Sequence, residues 1–230
     1  MSEKLFYLLQ VNDALFPIGA YSHSQGLETY IQKGIVHDEK TAEEYIHNKL
    51  VWNLAYTELL AVRLSFEAAQ NSDLETILDI EEILEVSRLP FEQREAVRKM
   101  GSRFVKTIEK LHLSITDAGI FREYLDARKG KTTSHCCVYG VFCAALNLEL
   151  DEILSHYLYA QTSAMVTNCV KTIPLSQTAG QQLLSGCYQC FEKILADVKI
   201  RTSEDLCLSA PGFDIRGIQQ EKLYSRIYMS

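Results

Sequence analysis

The chain has 230 residues, of which 47% are hydrophobic and 23% are charged, and only four are prolines. This composition is typical of a globular protein with a sizeable core, and it excludes a disordered or fibrous chain. The formal net charge of −7 argues against the broad positive surface that nucleic acids and anionic membranes require.

Neither an export signal nor a membrane span is evident. Residues 1–13 have too short an apolar stretch for a secretory signal and offer no small-residue cleavage site. No segment reaches the roughly 18 uninterrupted apolar residues of a membrane span. We therefore expect a cytoplasmic protein whose seven cysteines, an odd number, are small buried hydrophobes rather than disulfides.

Apolar residues recur at i, i+3 and i+4 along the whole chain, whereas alternating patterns are scarce. We predict an all-α fold: one bundle of about eight to ten helices over residues 1–210, followed by an amphipathic tail, 211–230.

The first third contains two patterns that resemble helix starts. After a short helix at 4–11, Ser22 and Gln25 have capping-box spacing for a helix that Gly34 ends. Thr41 and Glu44 form a second capping box, which opens a helix predicted to run to residue 70.

Three further helices complete the first half, of which the one at residues 92–113 is predicted to lie on the surface of the bundle. Asp73 caps a helix that ends near Arg88, because Pro90 cannot extend it. Residues 92–113 carry an apolar stripe with basic residues opposite, and a weaker helix follows at 117–129. The stripe consists of Val97, Met100, Phe104, Ile108 and Leu111.

The second half is poor in charge. Residues 132–148 contain no Asp, Glu, Lys or Arg, which predicts a helix buried on all sides. Asp151 caps the next helix, Pro174 interrupts it, and Ser176 restarts it as far as residue 198.

Between residues 153 and 191 the one formally charged side chain is Lys171. Such a surface is either core or a protein interface, because solvated helix faces usually carry charge. Lys171 itself has two interpretations: a lysine that suits the dipole at a helix end, which we favour, or a polar anchor inside an interface.

The C-terminal tail is unusually apolar for a chain end. Leu223, Tyr224, Ile227 and Tyr228 would share one helix face. The tail either folds back over the bundle or offers an amphipathic segment to a groove on a partner. In the second case Tyr224, Tyr228 and Arg226 are the anchors, since Tyr and Arg dominate binding hot spots.

The alternative enzymatic hypothesis is a di-metal carboxylate site in a helical bundle. Glu44 with His47 and Glu109 with His112 match the E-x-x-H element that such sites take from two helices. Chance alone supplies about half a match among this many Glu and His residues, so two matches are only mildly surprising, and two further inward Glu residues cannot be placed.

Other catalytic or metal-binding patterns are weaker. Cys187 and Cys190 resemble half of a zinc site, but they have no second pair and would share one helix face as core thiols. Ser22, His23 and Ser24 are adjacent in a loop and do not form a triad. We find no phosphate-binding glycine loop, and we predict no cofactor and no catalytic residue.

Three stretches together resemble the UreF family of urease accessory proteins. They are residues 13–28 (DALFPIGAYSHSQGLE), residues 168–177 (NCVKTIPLSQ) and residues 214–226, which include Asp214, Ile215, Glu221 and the run Leu223-Tyr224-Ser225-Arg226. Their order and spacing agree with the family over essentially the whole chain.

The resemblance implies an all-α homodimer that binds the accessory protein UreD, called UreH in some bacteria, and the GTPase UreG. Together they would support GTP-dependent nickel insertion into apo-urease, with the chemistry belonging to the partners. On this sequence the tail, including Ile215 and Ile218, would contact the UreD-type protein. The segment 16–28, with Tyr21 and His23, and Lys171 would shape the dimer and the surface met by the GTPase.

Two positions depart from the family pattern. Ala20 follows Gly19 where many members have a second glycine, and Gln220 stands where histidine is frequent. Because glutamine is a poor ligand for nickel, a metal-binding role for the tail is not expected.

Overall fold

The computed structural model describes residues 3–19, 23–111, 113, 115, 118–208 and 210–228. Within these ranges the chain is all helical, with no strand, which confirms the predicted all-α bundle. The helices are α1 (Glu3–Asn12), α2 (Leu27–Gln32), α3 (Glu39–Lys49), α4 (Glu58–Gln70), α5 (Leu74–Ser87), α6 (Phe91–Leu111), α7 (Ala118–Ala127), α8 (His135–Ala145), α9 (Leu150–Thr172), α10 (Gln177–Ile200) and α11 (Pro211–Gln220).

The centre of the bundle is α8, in which every residue from His135 to Ala145 is buried. It packs most extensively against α4 and also contacts α6 and α7. A helix surrounded in this way cannot tolerate an unpaired charge, which explains why residues 132–148 contain none. The predicted fully buried helix is therefore confirmed.

Two long helices, α9 and α10, form an antiparallel pair beside this core. The predicted interruption at Pro174 is confirmed, and the Ser176 side chain accepts a hydrogen bond from the amide of Ala179 at 3.0 Å. The start of α9 was predicted incorrectly: its N-cap is Glu149, and Asp151 lies in the first turn, where its charge suits the helix dipole.

The predicted helix from Thr41 to residue 70 is divided. A π-helical turn at Leu50–Leu54 and a non-helical turn at 55–57 separate α3 from α4. The predicted start was also wrong, because Asp38 is the N-cap and Thr41 occupies the third helical position. The Asp38 carboxylate accepts from the Thr41 amide at 2.8 Å, while the Thr41 hydroxyl oxygen accepts from the Asp38 amide at 3.0 Å.

The capping box predicted at Ser22–Gln25 does not start α2. Ser22 lies outside the described residues, and the N-cap is Gly26, without a side-chain cap. By contrast, Asp73 caps α5 as predicted, accepting from the Thr76 amide at 3.0 Å. The stripe of α6 is confirmed as core-facing, with Met100, Phe104 and Ile108 buried.

In the described part of the chain, no helix has both the length and the apolar character that a membrane crossing demands. All seven cysteines are free thiols, and five of them are buried. The Cys187–Cys190 pair lies within α10, where burial raises the pKa of Cys187 to about 11. Such a thiol stays protonated near neutral pH, as expected of a core residue.

Candidate functional site

The C-terminal tail lies against the bundle along α2 and α6. Gly217 of α11 faces Gln93 and Pro90: a Cβ added to it would stand 2.5 Å from the Gln93 Nε2 atom and 2.7 Å from the Pro90 Cγ atom. The Thr29 hydroxyl donates to the Arg216 carbonyl at 2.9 Å. Because this contact has no room for a side chain, the backbone of α11 itself sits in the groove between the two helices.

Beyond α11 the tail is anchored by α2. The Glu28 carboxylate is buried and accepts hydrogen bonds from the amides of Ile227 and Tyr228, the latter at 3.1 Å. Gln32 donates from its side-chain amide to the Ser225 carbonyl at 2.6 Å. These bonds give residues 225–228 a fixed path although they are not helical.

The tail also caps α6. The Glu221 carboxylate accepts from the amides of Phe91 and Glu92, at 2.7 and 3.4 Å, where α6 has no intrahelical partners. Arg226 pairs with the Glu92 carboxylate at 2.6 Å. Arg226, predicted as an anchor for a partner, is therefore engaged within the chain.

Gln220 connects the tail to the loop before α2. Its side-chain amide is buried and forms a reciprocal pair with the Ser24 hydroxyl, at 2.9 and 3.1 Å. Here the glutamine acts as a structural hydrogen-bonding group. The pair brings together the first and third stretches of the family resemblance.

The outward side of the tail is apolar. Tyr224 is fully exposed, and Ile215, Ile218 and Ile227 are also exposed. The predicted shared helix face is wrong, because residues 221–228 form turns and bends rather than a helix. Consequently Tyr228 is buried, and Leu223 is half-buried.

His23 and Lys171 lie in different environments, and Tyr21 lies outside the described residues. His23 is buried, and its carbonyl accepts from the Asn168 side chain at 3.0 Å, which joins the first two stretches of the resemblance. Burial, with Lys99 and Arg103 nearby, lowers the pKa of His23. Lys171 is exposed in the last turn of α9.

A cavity of about 250 Å³ lies beneath the start of α11. Its lining includes Lys49, Glu58, Arg88 and Asp214, which we call the buried ionic cluster. Arg88 and Glu58 form an ion pair at 2.9 Å, and the Lys49 ammonium lies 4.6 Å from the centroid of the Phe213 ring. A cation over an aromatic face is attractive, so Lys49 helps to hold α11 on the bundle.

Burial and pairing set the charges of this cluster. Burial lowers the pKa of Lys49 to about 8. Burial alone would raise the pKa of Glu58, but the Arg88 charge and a hydrogen bond from Thr57 bring it down to about 2. Glu58 is thus ionised at neutral pH and is held in that state by Arg88.

Sequence reasoning did not find this cluster, although one signal was present. Lys49 continues the buried stripe of α3 formed by Ala42, Tyr45 and Ile46, at helical spacing. A charged residue on an apolar stripe points to a buried partner or a cavity.

The di-metal hypothesis does not fit the structure. Glu44, His47 and Glu109 lie on exposed helix faces rather than in the bundle interior, and His112 lies outside the described residues. Among the described residues no three His, Cys, Asp or Glu side chains are placed to hold a metal ion. Because Glu44 and His47 are surface positions of α3 and Glu109 is one of α6, we reject the alternative.

A sequence model of the UreF family matches residues 36–188, which is more than half of the chain. The matched region runs from the residues before α3 into α10 and includes the second stretch of the resemblance, 168–177. The first stretch and the tail lie outside it, but they contact each other and the matched bundle in the structure. The chain therefore belongs to the UreF family of urease accessory proteins.

Proposed function

We propose that this protein is a non-enzymatic cytoplasmic scaffold of urease maturation. It assembles as a homodimer with the UreD-type protein, UreH in some bacteria, and with the GTPase UreG. The complex supports GTP-dependent insertion of nickel into apo-urease. Nickel is the cargo of this process, and the chain needs no resident cofactor.

The observation that carries the proposal is the exposed apolar side of the tail. Ile215, Ile218, Tyr224 and Ile227 remain in solvent although the tail is firmly bonded to the bundle. Several apolar side chains that the parent fold leaves uncovered along one short segment are typical of a binding site for another protein.

The free energy available from the tail side chains indicates that the tail does not bind the partner alone. Burying four such side chains contributes at most roughly 6–12 kcal/mol, at about 1.5–3 kcal/mol for each fully exposed side chain, because Ile215 and Ile218 are only 50% and 40% exposed. Association costs about 4–15 kcal/mol, so four side chains leave little surplus. Leu89 and Phe91 flank Pro90, which contacts Gly217, and both are exposed. We infer that this corner extends the surface that the UreD-type partner covers.

The fixed path of the tail favours binding. Hydrogen bonds to Glu28 and the capping of α6 by Glu221 order the segment before any partner arrives. A surface that is already ordered loses less conformational entropy on association. The charge-poor parts of α9 and α10 support the proposal of further protein contacts. There the Tyr159 and Tyr188 side chains are exposed, and their ring centroids are 6.4 Å apart.

Co-purification with the UreD-type protein tests the proposal. We expect Tyr224→Ser to weaken capture of the partner by roughly tenfold or more, because a central aromatic anchor contributes about 2 kcal/mol. Tyr224 has its side chain in solvent, so folding should not change. Ile200→Ser is the matched control, since Ile200 is similarly exposed at the end of α10.

A deletion of residues 223–230 provides a second test. The described part of this segment is not helical, so we expect nearly unchanged helical content and complete loss of co-purification. Unchanged capture by either variant would show that the tail is not the partner-binding surface.

A further inference from the structure

A second surface has the opposite character to the tail. A cleft of about 860 Å³ lies between α6 and the connection from α7 to α8. Its lining contains seven basic and two acidic residues, a formal charge of +5 in a chain whose net charge is −7. Such a concentration of positive charge on an acidic protein is not what its overall composition predicts.

At one point of the cleft α6 and the connection approach each other very closely. A Cβ on Gly101 would stand 1.8 Å from the Thr133 carbonyl oxygen, so the two backbones touch there. Lys99 and Lys106 lie on the exposed face of α6 on either side of this contact. Lys129 and Lys131 are exposed on the opposing connection. The contact therefore places two rows of lysines across one cleft.

Several of the basic residues already have partners. Arg128 is buried and donates to the Thr132 carbonyl, Arg98 pairs with Glu95 at 2.7 Å, and Arg103 donates to the Ile18 carbonyl at 3.3 Å. By contrast, none of the ion pairs within the described ranges involves the lysines of the cleft. These are Lys99, Lys106, Lys129 and Lys131.

The lining indicates what kind of anion fits. Val105 and Leu125 are half-buried within the cleft and offer apolar contact beside the lysines. The described lining contains no aromatic side chain on which a base could stack. The net charge of −7 would also repel a long polyanion at a distance. A peptide rich in glutamate or aspartate with an occasional aliphatic residue would complement both the lysines and the apolar side chains of the lining.

We propose that this cleft binds an acidic segment of a partner protein, in extended or helical form. The surface is separate from the tail, so this inference does not depend on the proposed contact with a UreD-type protein. From Arg98 to Glu109 the α6 side of the cleft is about 16 Å long, at 1.5 Å per helical residue. An extended peptide of about five residues covers that length.

The test uses a fluorescein-labelled peptide of about eight residues in which glutamates alternate with leucines. Fluorescence anisotropy with the full chain should give saturable binding that weakens as salt is added. The double variant Lys106→Glu with Lys131→Glu should weaken binding by roughly tenfold or more. The control is Lys40→Glu with Lys193→Glu, which makes the same change in net charge at exposed sites on α3 and α10.

A third variant tests whether binding depends on apolar contact within the cleft or on electrostatic attraction alone. Leu125→Ser should weaken binding of the leucine-containing peptide but not of an all-glutamate peptide of equal charge. Circular dichroism melting of every variant establishes that it is folded. Equal losses in the control pair, or tighter binding of a single-stranded oligonucleotide of the same charge than of the peptide, would overturn the proposal.

Discussion

Gln220, the last residue of α11, exchanges hydrogen bonds with the hydroxyl of Ser24, which lies 196 positions earlier in the chain. Both residues are buried, with 4% of Ser24 and 1% of Gln220 exposed, so water can do little to replace a lost bond. Their pairing fixes where α11 ends and where the tail turns toward α2. The position of the apolar tail surface thus depends on a polar contact beneath it.

Gln220→Ala should loosen the tail more than the bundle. Removing the amide leaves the Ser24 hydroxyl unsatisfied, at a cost of about 1–3 kcal/mol. We expect faster hydrogen exchange at the amides of Ile227 and Tyr228, with exchange in α8 unchanged, as measured by mass spectrometry. Gln181→Ala, at an exposed position of α10, is the control. Equal protection of the tail in both variants would show that the pair does not hold it.

The buried ionic cluster predicts a pH-dependent stability. The pKa of Glu58 is lowered to about 2 in the folded protein from 4.5, so the folded state favours the ionised form. The pKa shift of Glu58 corresponds to a contribution of about 3 kcal/mol to the free energy of unfolding. This contribution is present above pH 4.5 and is lost as the pH falls toward 2. Glu58→Gln should therefore be less stable than the natural protein at pH 7, and the difference should shrink below pH 4.5.

Urea denaturation at pH 7, 4.5 and 3 measures this difference. Glu95→Gln is a suitable control, because the Glu95–Arg98 pair on α6 is more exposed than the Glu58–Arg88 pair. Exposed pairs contribute little, so its effect should be small at every pH. A pH-independent loss for Glu58→Gln would show that the ion pair with Arg88 is not its cause.

Sequence patterns predicted the parts of the fold that depend on local chemistry. Helical periodicity and the absence of charge identified α8, and Asp73 and Ser176 marked helix starts that the structure confirms. The predictions were wrong where contacts with residues distant in the sequence determine the local structure. Ser24 lies between the two residues of the predicted Ser22–Gln25 capping box, yet its hydroxyl bonds to Gln220. The break between α3 and α4 likewise has no proline or glycine to announce it.

The candidate site was predicted only in part, for the same reason. The apolar content of the tail was evident, but which side chains face outward depends on Glu28 holding residues 227 and 228 in a non-helical path. Tyr228 therefore turned out to be buried, whereas Tyr224 is exposed. Likewise Glu81, on the buried stripe of α5, accepts hydrogen bonds from the Ser134 amide across the bundle, which no local pattern indicates.

The close contact of Gly101 with Thr133, beside the lysine-lined cleft, leads to a separate prediction. Gly101→Ala places a methyl group against the Thr133 carbonyl and should lower the free energy of unfolding by about 1–3 kcal/mol or more. The lysines of α6 and of the connection would then move apart. Gly212→Ala, which has open space around it in the first turn of α11, should leave stability nearly unchanged. Chemical denaturation compares the two, and equal stability would mean that α6 can shift without cost.

Lys171→Ala distinguishes a structural lysine from one that serves assembly. Lys171 is exposed in the last turn of α9, and none of the ion pairs in the described ranges includes it. A cation at this end of a helix contributes about 0.3–1 kcal/mol through the helix dipole, so melting should change little. Lys110→Ala, at the corresponding end of α6, should have the same small effect. If Lys171 belongs to an interface of the accessory complex, its variant alone should lose co-purification with the partners. Equal retention of the partners by both variants would assign Lys171 to the helix end only.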